Sequence, residues 1–330
     1  MDTSSQQDLA PELEDIEWGG SLLNMGEIVT GCLDAVGAAS VLEIGAYRGD
    51  LTELLLTWAE GTGAKVTSIE PVPQPELLER VRRFPQLELV GKTSHDALRE
   101  VPIPDAIILD GDHNYYTLSE ELRLIGERAP GGVLPLMIFH DVGWPHGRRD
   151  SYYTPERIPE EGRQPMALGV GVVPGEEGTV EEGLEFTEHT ALREGGPRNG
   201  ILTAIEDFLE GREGLVLATV PAFFGVGIVY RDDASWAPAV SAILEPYVDN
   251  PILERLEANR VVHLLKRQVH ARQLAEDRIR KDEQERLLRM MLDSSAFALA
   301  ERLSRIRQSR DAMSWREQVE HALGEENGRP

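Results

Sequence analysis

A strand-like run that turns directly into a helix through two glycines most constrains what this chain can fold into. The run VLEIG (41–45) is apolar except for Glu43. Gly45 and Gly49 lie at the two ends of the turn, and LTELLLTWAE (51–60) continues with helical periodicity. Strand, glycine turn and helix in this order form the ligand-binding turn of doubly wound α/β domains, because glycine lets the backbone approach a ligand closely. The sequence therefore predicts an α/β protein with a nucleotide-type cofactor at this turn.

The acidic character of the turn disfavours a cofactor that carries phosphate. Tyr47 stands where a dinucleotide fingerprint has its second glycine, and Asp50 opens the helix. A carboxylate at a helix N-terminus suits the helix dipole but repels phosphate. S-adenosylmethionine has no phosphate and carries a cationic sulfonium, so it suits Glu43 and Asp50 better than NAD does. A glycine turn without any ligand is the alternative interpretation.

The segment resembles motif I of the class I S-adenosylmethionine-dependent methyltransferases, whose form E-x-G-x-x-x-G is met by Glu43, Gly45 and Gly49. With Tyr47 from the same turn, these are the expected cofactor residues. A second strand-like run ends in Glu70, about 25 residues after Gly45, close to the ~20-residue spacing at which an acid bonds a ribose hydroxyl. We expect Glu70 to bind the ribose.

A third strand-like run leads to a short polar loop that contains Ser94 and Asp96. In similar methyltransferases this loop flanks the adenine, so the resemblance adds both residues to the cofactor set. A Ser-His-Asp sequence before a helix is equally typical of an N-terminal cap, and this alternative stays open.

Two further strand-like runs end abruptly in polar residues. DAIILDGDH (105–113) turns polar at Asp110, and the run that ends at 139 turns polar at His140 and Asp141. Ligands of open α/β sheets bind at the carboxyl ends of the strands, so these side chains are expected to converge on one cleft. Oxygen and imidazole ligands that converge in this way suit Mg²⁺ or Mn²⁺.

The pair LDGDH and HD is similar to the metal-dependent O-methyltransferases, including the macrocin and rhamnosyl O-methyltransferases and the cephalosporin-hydroxylase group. The resemblance implies that Asp110, His140 and Asp141 bind a divalent ion, and Asp110 also belongs to the cofactor set. His140 stands where that family more often has a carboxylate or amide, so Mn²⁺, Fe²⁺ or no metal stay open. The alternative is that the aspartates cap helices and the histidines are structural.

Methyl transfer to a hydroxyl needs a group that removes the proton. His113 is the first candidate for this base, with His140 and His146 as alternates. The acceptor is expected under a lid, the long Pro-, Gly- and Glu-rich insertion 143–200, which has few strand or helix signals and a glycine hinge at 195–200. The candidate substrate residues are Asp112, Trp144, His146, Arg148 and Tyr152, with Tyr153 and Arg149 as further candidates for stacking and polar contacts.

Three regions are expected along the chain. Residues 1–39 form a disordered tail and a helix that holds Cys32, and residues 40–235 form the methyltransferase core. The resemblance implies a Rossmann-like, doubly wound sheet of seven strands with an antiparallel last strand, from the hairpin 215–231. Residues 236–330 form a C-terminal helical arm with a break near 293–295, whose apolar stripe predicts a homo-oligomer.

Composition excludes some function classes. A net charge of −25 argues against a nucleic-acid partner, because phosphate binding needs a basic surface. The sequence contains no signal peptide and no apolar run long enough to span a membrane, and a single cysteine excludes an internal disulfide. A cytoplasmic location is therefore expected.

The sequence predicts a metal-assisted O-methyltransferase that acts on a hydroxyl of a sugar or of a polyketide-type natural product. One alternative is an iron-dependent hydroxylase-like enzyme on the same scaffold, with iron at Asp110, His113 and His140. Another is a non-catalytic scaffold that acts through its helical arm.

Overall fold

The central element of the computed structural model, which describes residues 21–305 and 314–326, is a mixed seven-stranded sheet. The described strands are β1 Ser40–Ile44, β2 Lys65–Ile69, β3 Leu87–Val90, β4 Ala106–Leu109, β5 Leu136–His140, β6 Ser151–Tyr152, β7 Met166–Ala167, β8 His189–Ala191, β9 Leu215–Val220 and β10 Val226–Arg231. The described α-helices are α1 Gly26–Val36, α2 Asp50–Thr62, α3 Pro75–Arg83, α4 Ser94–Ala97, α5 Tyr115–Arg128, α6 Ile201–Leu209, α7 Ala237–Leu244, α8 Pro251–Leu292, α9 Ser295–Arg305 and α10 Trp315–Glu326. Short 3-10 turns occupy Leu22–Met25, Pro130–Gly132, Pro155–Arg157 and Glu160–Gly162. The tail expected at 1–20 lies outside the described residues.

The strand order confirms the expected fold. The large sheet runs β3-β2-β1-β4-β5-β10-β9, with the first five strands parallel and β10 antiparallel to both neighbours. The order reverses at β1, which lies between β2 and β4. A ligand crevice is expected at the carboxyl ends of these strands, because the connections leave β1 and β4 toward opposite faces.

Two hydrophobic cores cover the two faces of the sheet. Successive strand residues point to opposite faces, so Val41 packs in one core and Leu42 in the other. The first core receives the apolar faces of α1, α2 and α7, and the second those of α5 and α6. Cys32 of α1 is buried as expected, and burial raises the pKa of its thiol to about 12.

The core extends further along the chain than expected. The described chain divides into two compact units, the first ending at Leu265 and the second beginning at Lys266. Helix α7 lies in the first unit and buries Ala237, Val240 and Leu244 in the core, since these residues recur on one helical face. Residues 237–265 therefore belong with the sheet and not with a separate arm.

The second unit contains the outer part of α8 with α9 and α10. The expected helix break is confirmed, because α8 ends at Leu292 and α9 begins at Ser295. The hydroxyl of Ser294 caps α9 by accepting from the amide of Phe297 at 3.2 Å. The rings of Phe297 and Trp315 bring α9 and α10 together, with their centroids 6.5 Å apart. Within the described residues, no helix is long and apolar enough to cross a membrane.

Helix α5 carries a buried acid that the sequence did not single out. Glu121 is 4% exposed, shares a hydrogen bond with Ser94, and its Oε1 has no partner among the described residues. Burial raises the pKa of Glu121 to about 8, because the charged form loses its hydration. The folded protein therefore holds this carboxyl in its neutral form at pH 7.

Replacing Glu121 with Gln should make stability less dependent on pH. In the wild type, the raised pKa stabilises the fold fully below pH 4.5, and this contribution is lost as the pH rises through about 8. We expect similar urea midpoints for E121Q and wild type at pH 5, and a gain of about 2–4 kcal/mol for E121Q at pH 9. Equal unfolding free energies at pH 9 would contradict an uncharged Glu121.

Candidate active site

The turn after β1 lies directly against the end of β4. Gly45 has a φ of 90°, and a Cβ added there would lie 2.0 Å from the carbonyl oxygen of Asp110. The amide of Asp110 in turn donates to the carbonyl of Ile44 at 2.9 Å. Only glycine permits this approach, so the motif I turn and the first polar burst are in contact.

Glu70 lies beside the same turn and fixes its shape. Its two carboxylate oxygens accept from the backbone amides of Tyr47 and Val72, each at 2.9 Å. Tyr47 adopts a left-handed φ of 45° and exposes its ring. Each carboxylate oxygen has a second lone pair, so Glu70 can still accept from a hydroxyl of a ligand.

The remaining acids of the turn have protein partners. Glu43 is 1% exposed, and one oxygen accepts from the hydroxyls of Thr52 and Ser68 at 2.7 and 2.6 Å. Burial raises the pKa of Glu43 to about 7, so it does not present a full charge to a cofactor. Asp50 pairs with Arg80 at 2.9 Å. These contacts tie β1 to β2 and α2, and the role of Glu43 in cofactor binding stays a prediction.

The loop after β3 has the capping structure that the sequence left open. The hydroxyl of Thr93 accepts from the amide of Asp96 at 3.3 Å, and Asp96 exposes its carboxylate. Ser94 shares its hydrogen bond with Glu121. Both residues therefore make local contacts, in a helix cap and in a buried hydrogen bond, and their adenine contacts stay a prediction.

Two aspartates and two histidines meet where β4 and β5 end. The Nδ1 atom of His140 lies 3.0 Å from Asp110 Oδ1 and 3.3 Å from Asp141 Oδ2. His113 Nε2 lies 3.1 Å from Asp141 Oδ2 and 3.8 Å from Asp110 Oδ1. Ligand atoms of Asp110, His140 and Asp141 all lie within 4.8 Å of one another. The structure thus brings together all three residues expected to bind metal, with the expected base beside them. We refer to these four residues as the Asp-His cluster.

The protonation of the Asp-His cluster follows from its burial and pairing. Burial alone would raise the pKa of both aspartates, but His140 and His113 hold both values below the ordinary range. Burial alone would lower the pKa of His113, yet Asp141 and Asp110 raise it to about 9, and they raise the pKa of His140 as well. Two imidazolium ions therefore balance two buried carboxylates.

A backbone carbonyl fixes the orientation of the His140 ring. Its Nε2 atom donates to the carbonyl of Phe223 at 2.9 Å, because a carbonyl can only accept. This bond leaves Nδ1 directed at the two carboxylates. Metal-binding histidines usually donate their second ring N–H to a carbonyl or carboxylate in this way, so the donor set fits a divalent cation.

His113 is oriented by Asp141 and walled by aromatic rings. Its Nδ1 atom is buried and has no partner in the described chain. The ring centroid lies 4.9 Å from that of His146 and 5.8 Å from that of Tyr153, and His146 packs on Phe186 at 4.9 Å. Burial lowers the pKa of His146 to about 3, so this ring is neutral at pH 7 and binds a proton more weakly than His113 does.

The structure gives three of the expected substrate residues other partners. Asp112 accepts from Asn114 Nδ2 at 2.7 Å and from Thr117 Oγ1 at 3.0 Å, so it stabilises the turn that leads into α5. Arg148 pairs with Glu206 through two bonds of 2.6 and 2.7 Å. Tyr152 is fully buried and donates to Asp150 at 2.7 Å.

Two other substrate candidates lie near the Asp-His cluster. Tyr153 faces His113 and is 55% exposed, so it takes the position expected for Tyr152. Trp144 lies three residues after Asp141 in the sequence, and its buried Nε1 has no partner in the described part of the chain.

The insertion 143–200 contains few strand residues, as its sequence pattern predicts, and its parts are joined by specific contacts. Strands β6, β8 and β7 form a small antiparallel sheet. The guanidinium of Arg149, 1% exposed, donates to the carbonyls of Ala191, Glu177 and neighbouring residues. One buried charged side chain therefore joins two parts of the insertion.

The glycine segment 195–200 is fixed and does not form a free hinge. Gly200 donates its amide to Asp150 at 2.6 Å, and Asn199 Oδ1 accepts from the amide of Asp150 at 2.8 Å. A Cβ on Gly200 would lie 2.4 Å from the carbonyl oxygen of Gly147. Gly200 therefore permits close packing of the insertion on the loop after β5.

A cavity of about 550 Å³ lies away from the Asp-His cluster, at the opposite edge of the sheet where β9 begins and β10 ends. Four of its charged lining residues form two ion pairs, Arg123 with Glu127 and Arg231 with Asp233, and the lining holds as many arginines as acids. This balance of charge gives the cavity no preference for an ionic ligand, and we place no chemistry there.

Sequence reasoning missed the turn between β9 and β10. Phe223 contributes only its carbonyl to the site, and Glu257 contributes a carboxylate from α8, more than 30 residues further along the chain. No motif marks a backbone carbonyl. The two consecutive phenylalanines at a hairpin turn were the only available signal, because bulky residues are rare at such positions.

No family model matches this chain, and no curated protein matches it in sequence. Solved structures do match in fold. An S-adenosylhomocysteine-bound methyltransferase from Podospora anserina is 14% identical over 71% of this chain and 97% of its own, with a TM-score of 0.39. The 1,6-didemethyltoxoflavin-N1-methyltransferase from Burkholderia thailandensis is 14% identical over 68% of this chain and 84% of its own, with a TM-score of 0.37.

A third similar structure is DesVI from Streptomyces venezuelae, 12% identical over 70% of this chain and 99% of its own, with a TM-score of 0.39. At these sequence identities and TM-scores, the similar structures provide no argument about the activity of this chain. The chemistry has to be inferred from the residues of the site.

Replacing Arg149 with Met should loosen the insertion, because the buried carbonyls that it serves would lose their donors. We expect a loss of about 2–4 kcal/mol in unfolding free energy and faster proteolysis within 143–200. The matched control is R148M, which removes only the partly exposed pair with Glu206 and should cost about 1 kcal/mol or less. Equal proteolysis of the two variants would contradict the role given to Arg149.

Proposed function

We propose that this protein is an S-adenosylmethionine-dependent O-methyltransferase that uses a divalent metal ion and acts on a hydroxyl of a sugar or other natural product. The observation that carries the proposal is the contact between the motif I turn and the Asp-His cluster, where Gly45 meets the backbone of Asp110. A cofactor held at the turn would have its reactive end beside groups suited to activate a hydroxyl.

Support for this cofactor comes from the switch point between β1 and β4. Glu70 stands at the end of β2 with lone pairs available for ribose hydroxyls, and Tyr47 exposes its ring beside it. The carboxylate of Glu70 at this position disfavours a pyrophosphate.

Support for a metal comes from the donor set of Asp110, His140 and Asp141. Two carboxylate oxygens and one imidazole nitrogen suit Mn²⁺ or Mg²⁺, with Mn²⁺ favoured by the nitrogen ligand. When bound, the ion would lower the pKa of an acceptor hydroxyl and orient it. It would also supply the positive charge that the two histidines otherwise provide.

His113 is the proposed general base. When a bound cation balances the two carboxylates, His113 would be neutral, with Nε2 held by Asp141 and the unpartnered Nδ1 able to take a proton. A carboxylate that orients an imidazole and stabilises its protonated form is the arrangement of many acid–base sites. Tyr153 and His146 flank this ring, so planar acceptors or sugar rings are the proposed substrates.

An iron-dependent oxygenase is the second candidate. It is favoured by the convergence of two imidazoles on Asp141, at 3.1 and 3.3 Å, because two histidines and one carboxylate suit redox iron. Iron retained through purification, together with oxygen uptake that depends on it, would support this candidate over methyl transfer.

The outer helices are proposed to mediate self-association. The second unit exposes large apolar side chains along α8, namely Leu274, Ile279, Leu287, Met290 and Met291. A second copy of the same helix is the simplest partner that would bury them. Removal of residues 266–330 would test this proposal. Loss of self-association alone would indicate an oligomerisation arm, and loss of biological activity from a chain whose cofactor residues can be replaced without effect would indicate the scaffold function.

Cofactor binding provides the first test of the proposed function. We expect one S-adenosylhomocysteine to bind per chain with micromolar affinity in calorimetry, and E70Q to weaken it about tenfold through the loss of charged hydrogen bonds to ribose. The matched control E76Q replaces an exposed acid on α3 and should bind as the wild type does. No binding heat for the wild type would exclude the methyltransferase proposal.

Metal binding provides the second test of the proposed function. We expect Mn²⁺ to bind the purified protein, as measured by electron paramagnetic resonance, and D141N to weaken it by at least about tenfold. D96N is the matched control, because Asp96 is an exposed aspartate in α4, which follows β3 at the edge of the sheet and is separated from β4 by two strands. Equal Mn²⁺ affinities of D141N, D96N and wild type would contradict a metal site in the Asp-His cluster.

A further inference from the structure

The turn between β9 and β10 has an unusual backbone. Three successive residues are left-handed, with φ values of 52° at Phe223, 66° at Phe224 and 89° at Gly225. Bulky residues avoid this region, and such conformations persist where the surroundings enforce them. The turn therefore needs an identifiable restraint.

Glu257, near the start of α8, supplies that restraint. Its two carboxylate oxygens accept from the amides of Phe223 and Phe224 at 3.0 and 2.9 Å. Arg260 lies one turn further along the helix and pairs with the same carboxylate at 2.6 and 2.7 Å. The Arg260 guanidinium also packs on both phenylalanine rings, 5.6 and 4.4 Å from their centroids.

The carbonyls of the same turn point to the Asp-His cluster. The carbonyl of Phe223 accepts from His140 Nε2 at 2.9 Å, as described above. The carbonyl of Phe224 accepts from the amide of Gly143 at 2.6 Å, and a Cβ on Gly143 would lie 2.5 Å from that oxygen. The turn thus holds both the ring of His140 and the backbone that follows Asp141.

We propose that Glu257 is a positioning residue, which acts through the Phe223–Phe224 turn to fix the ring of His140 and so prepares Nδ1 as a ligand atom. Its catalytic meaning rests on the proposed function, but the restraint on the ring does not. The first turns of α8 are then part of the active site. A substitution in this part of α8 would therefore alter the Asp-His cluster although the substituted residue does not contact substrate.

The chemistry of the contact requires a carboxylate. Two neighbouring amides both donate, and a carboxylate offers an acceptor oxygen to each of them. Glutamine keeps one acceptor oxygen but turns an N–H group toward the second amide, so E257Q should be intermediate. Alanine removes both acceptors and leaves the left-handed turn without its restraint.

The test follows the histidine rings by nuclear magnetic resonance in full-length protein labelled with ¹⁵N-histidine. H140Q identifies the His140 signals. We expect the wild type to show a His140 ring with Nε2 protonated and slow to exchange, and E257A to lose this signal or broaden it. The matched control is E254Q, an exposed acid one turn earlier on the same helix, which should keep the wild-type signal.

Mn²⁺ affinity is the second readout of the same variants. We expect it to fall about tenfold in E257A and less in E257Q, the size of effect expected for a residue that orients a ligand, while E254Q stays unchanged. S-adenosylhomocysteine binding should persist in all of them and shows that the fold is intact. If E257A does not fold, E257Q provides both readouts.

A wild-type His140 signal in E257Q and E257A would overturn the proposal. A wild type that binds neither Mn²⁺ nor S-adenosylhomocysteine would instead refute the proposed function, and the ring signal would still decide the role of Glu257. A purely structural Glu257 would lower the melting temperature and leave the His140 signal in place.

Discussion

Two carboxylates that lie side by side at the ends of β4 and β5, Asp141 buried and Asp110 partly buried, are the constraint on which the site depends. Ionised Asp110 and Asp141 cannot remain so close together without positive charge, and His113 and His140 provide it. This requirement places both imidazoles, and each ring then needs its own support. The carbonyl of Phe223 supports His140, and Glu257 in turn restrains the turn that offers the carbonyl. A charge requirement at the sheet edge therefore extends to a helix more than 100 residues away in sequence.

The insertion obeys the same rule with different residues. Arg149 and Asp150 are both buried, and each is surrounded by backbone groups and hydroxyls that satisfy its charge. Such networks are costly to leave incomplete, so they fix one arrangement of the surrounding chain. In this way a segment with little periodic secondary structure becomes ordered next to the Asp-His cluster. The aromatic rings that it contributes are held in place by polar contacts and not by a hydrophobic core of its own.

The sequence indicated the residues whose position follows from the strand pattern. Asp110, His140 and Asp141 directly follow apolar runs, and parallel strands necessarily bring such residues to one edge. It did not indicate the partners of Arg148 and Tyr152, because partners distant in the chain cannot be read from local pattern. Glu206 lies more than 50 residues from Arg148, and Gln164 lies outside the strand that contains Tyr152. The sequence likewise could not tell that Glu43 would be enclosed by Thr52 and Ser68.

Local pattern alone determined the order of strands and helices, the glycines of the motif I turn, the closing hairpin and the break after α8. These features depend on neighbours in the chain, through periodicity, glycine conformations and capping. Only the tertiary structure decided which polar side chains face the Asp-His cluster and which ones bind backbone groups elsewhere in the fold. It also decided where along the chain the hydrophobic core ends. Those outcomes depend on partners that the chain brings together from distant positions, and on the need to pair every buried charge.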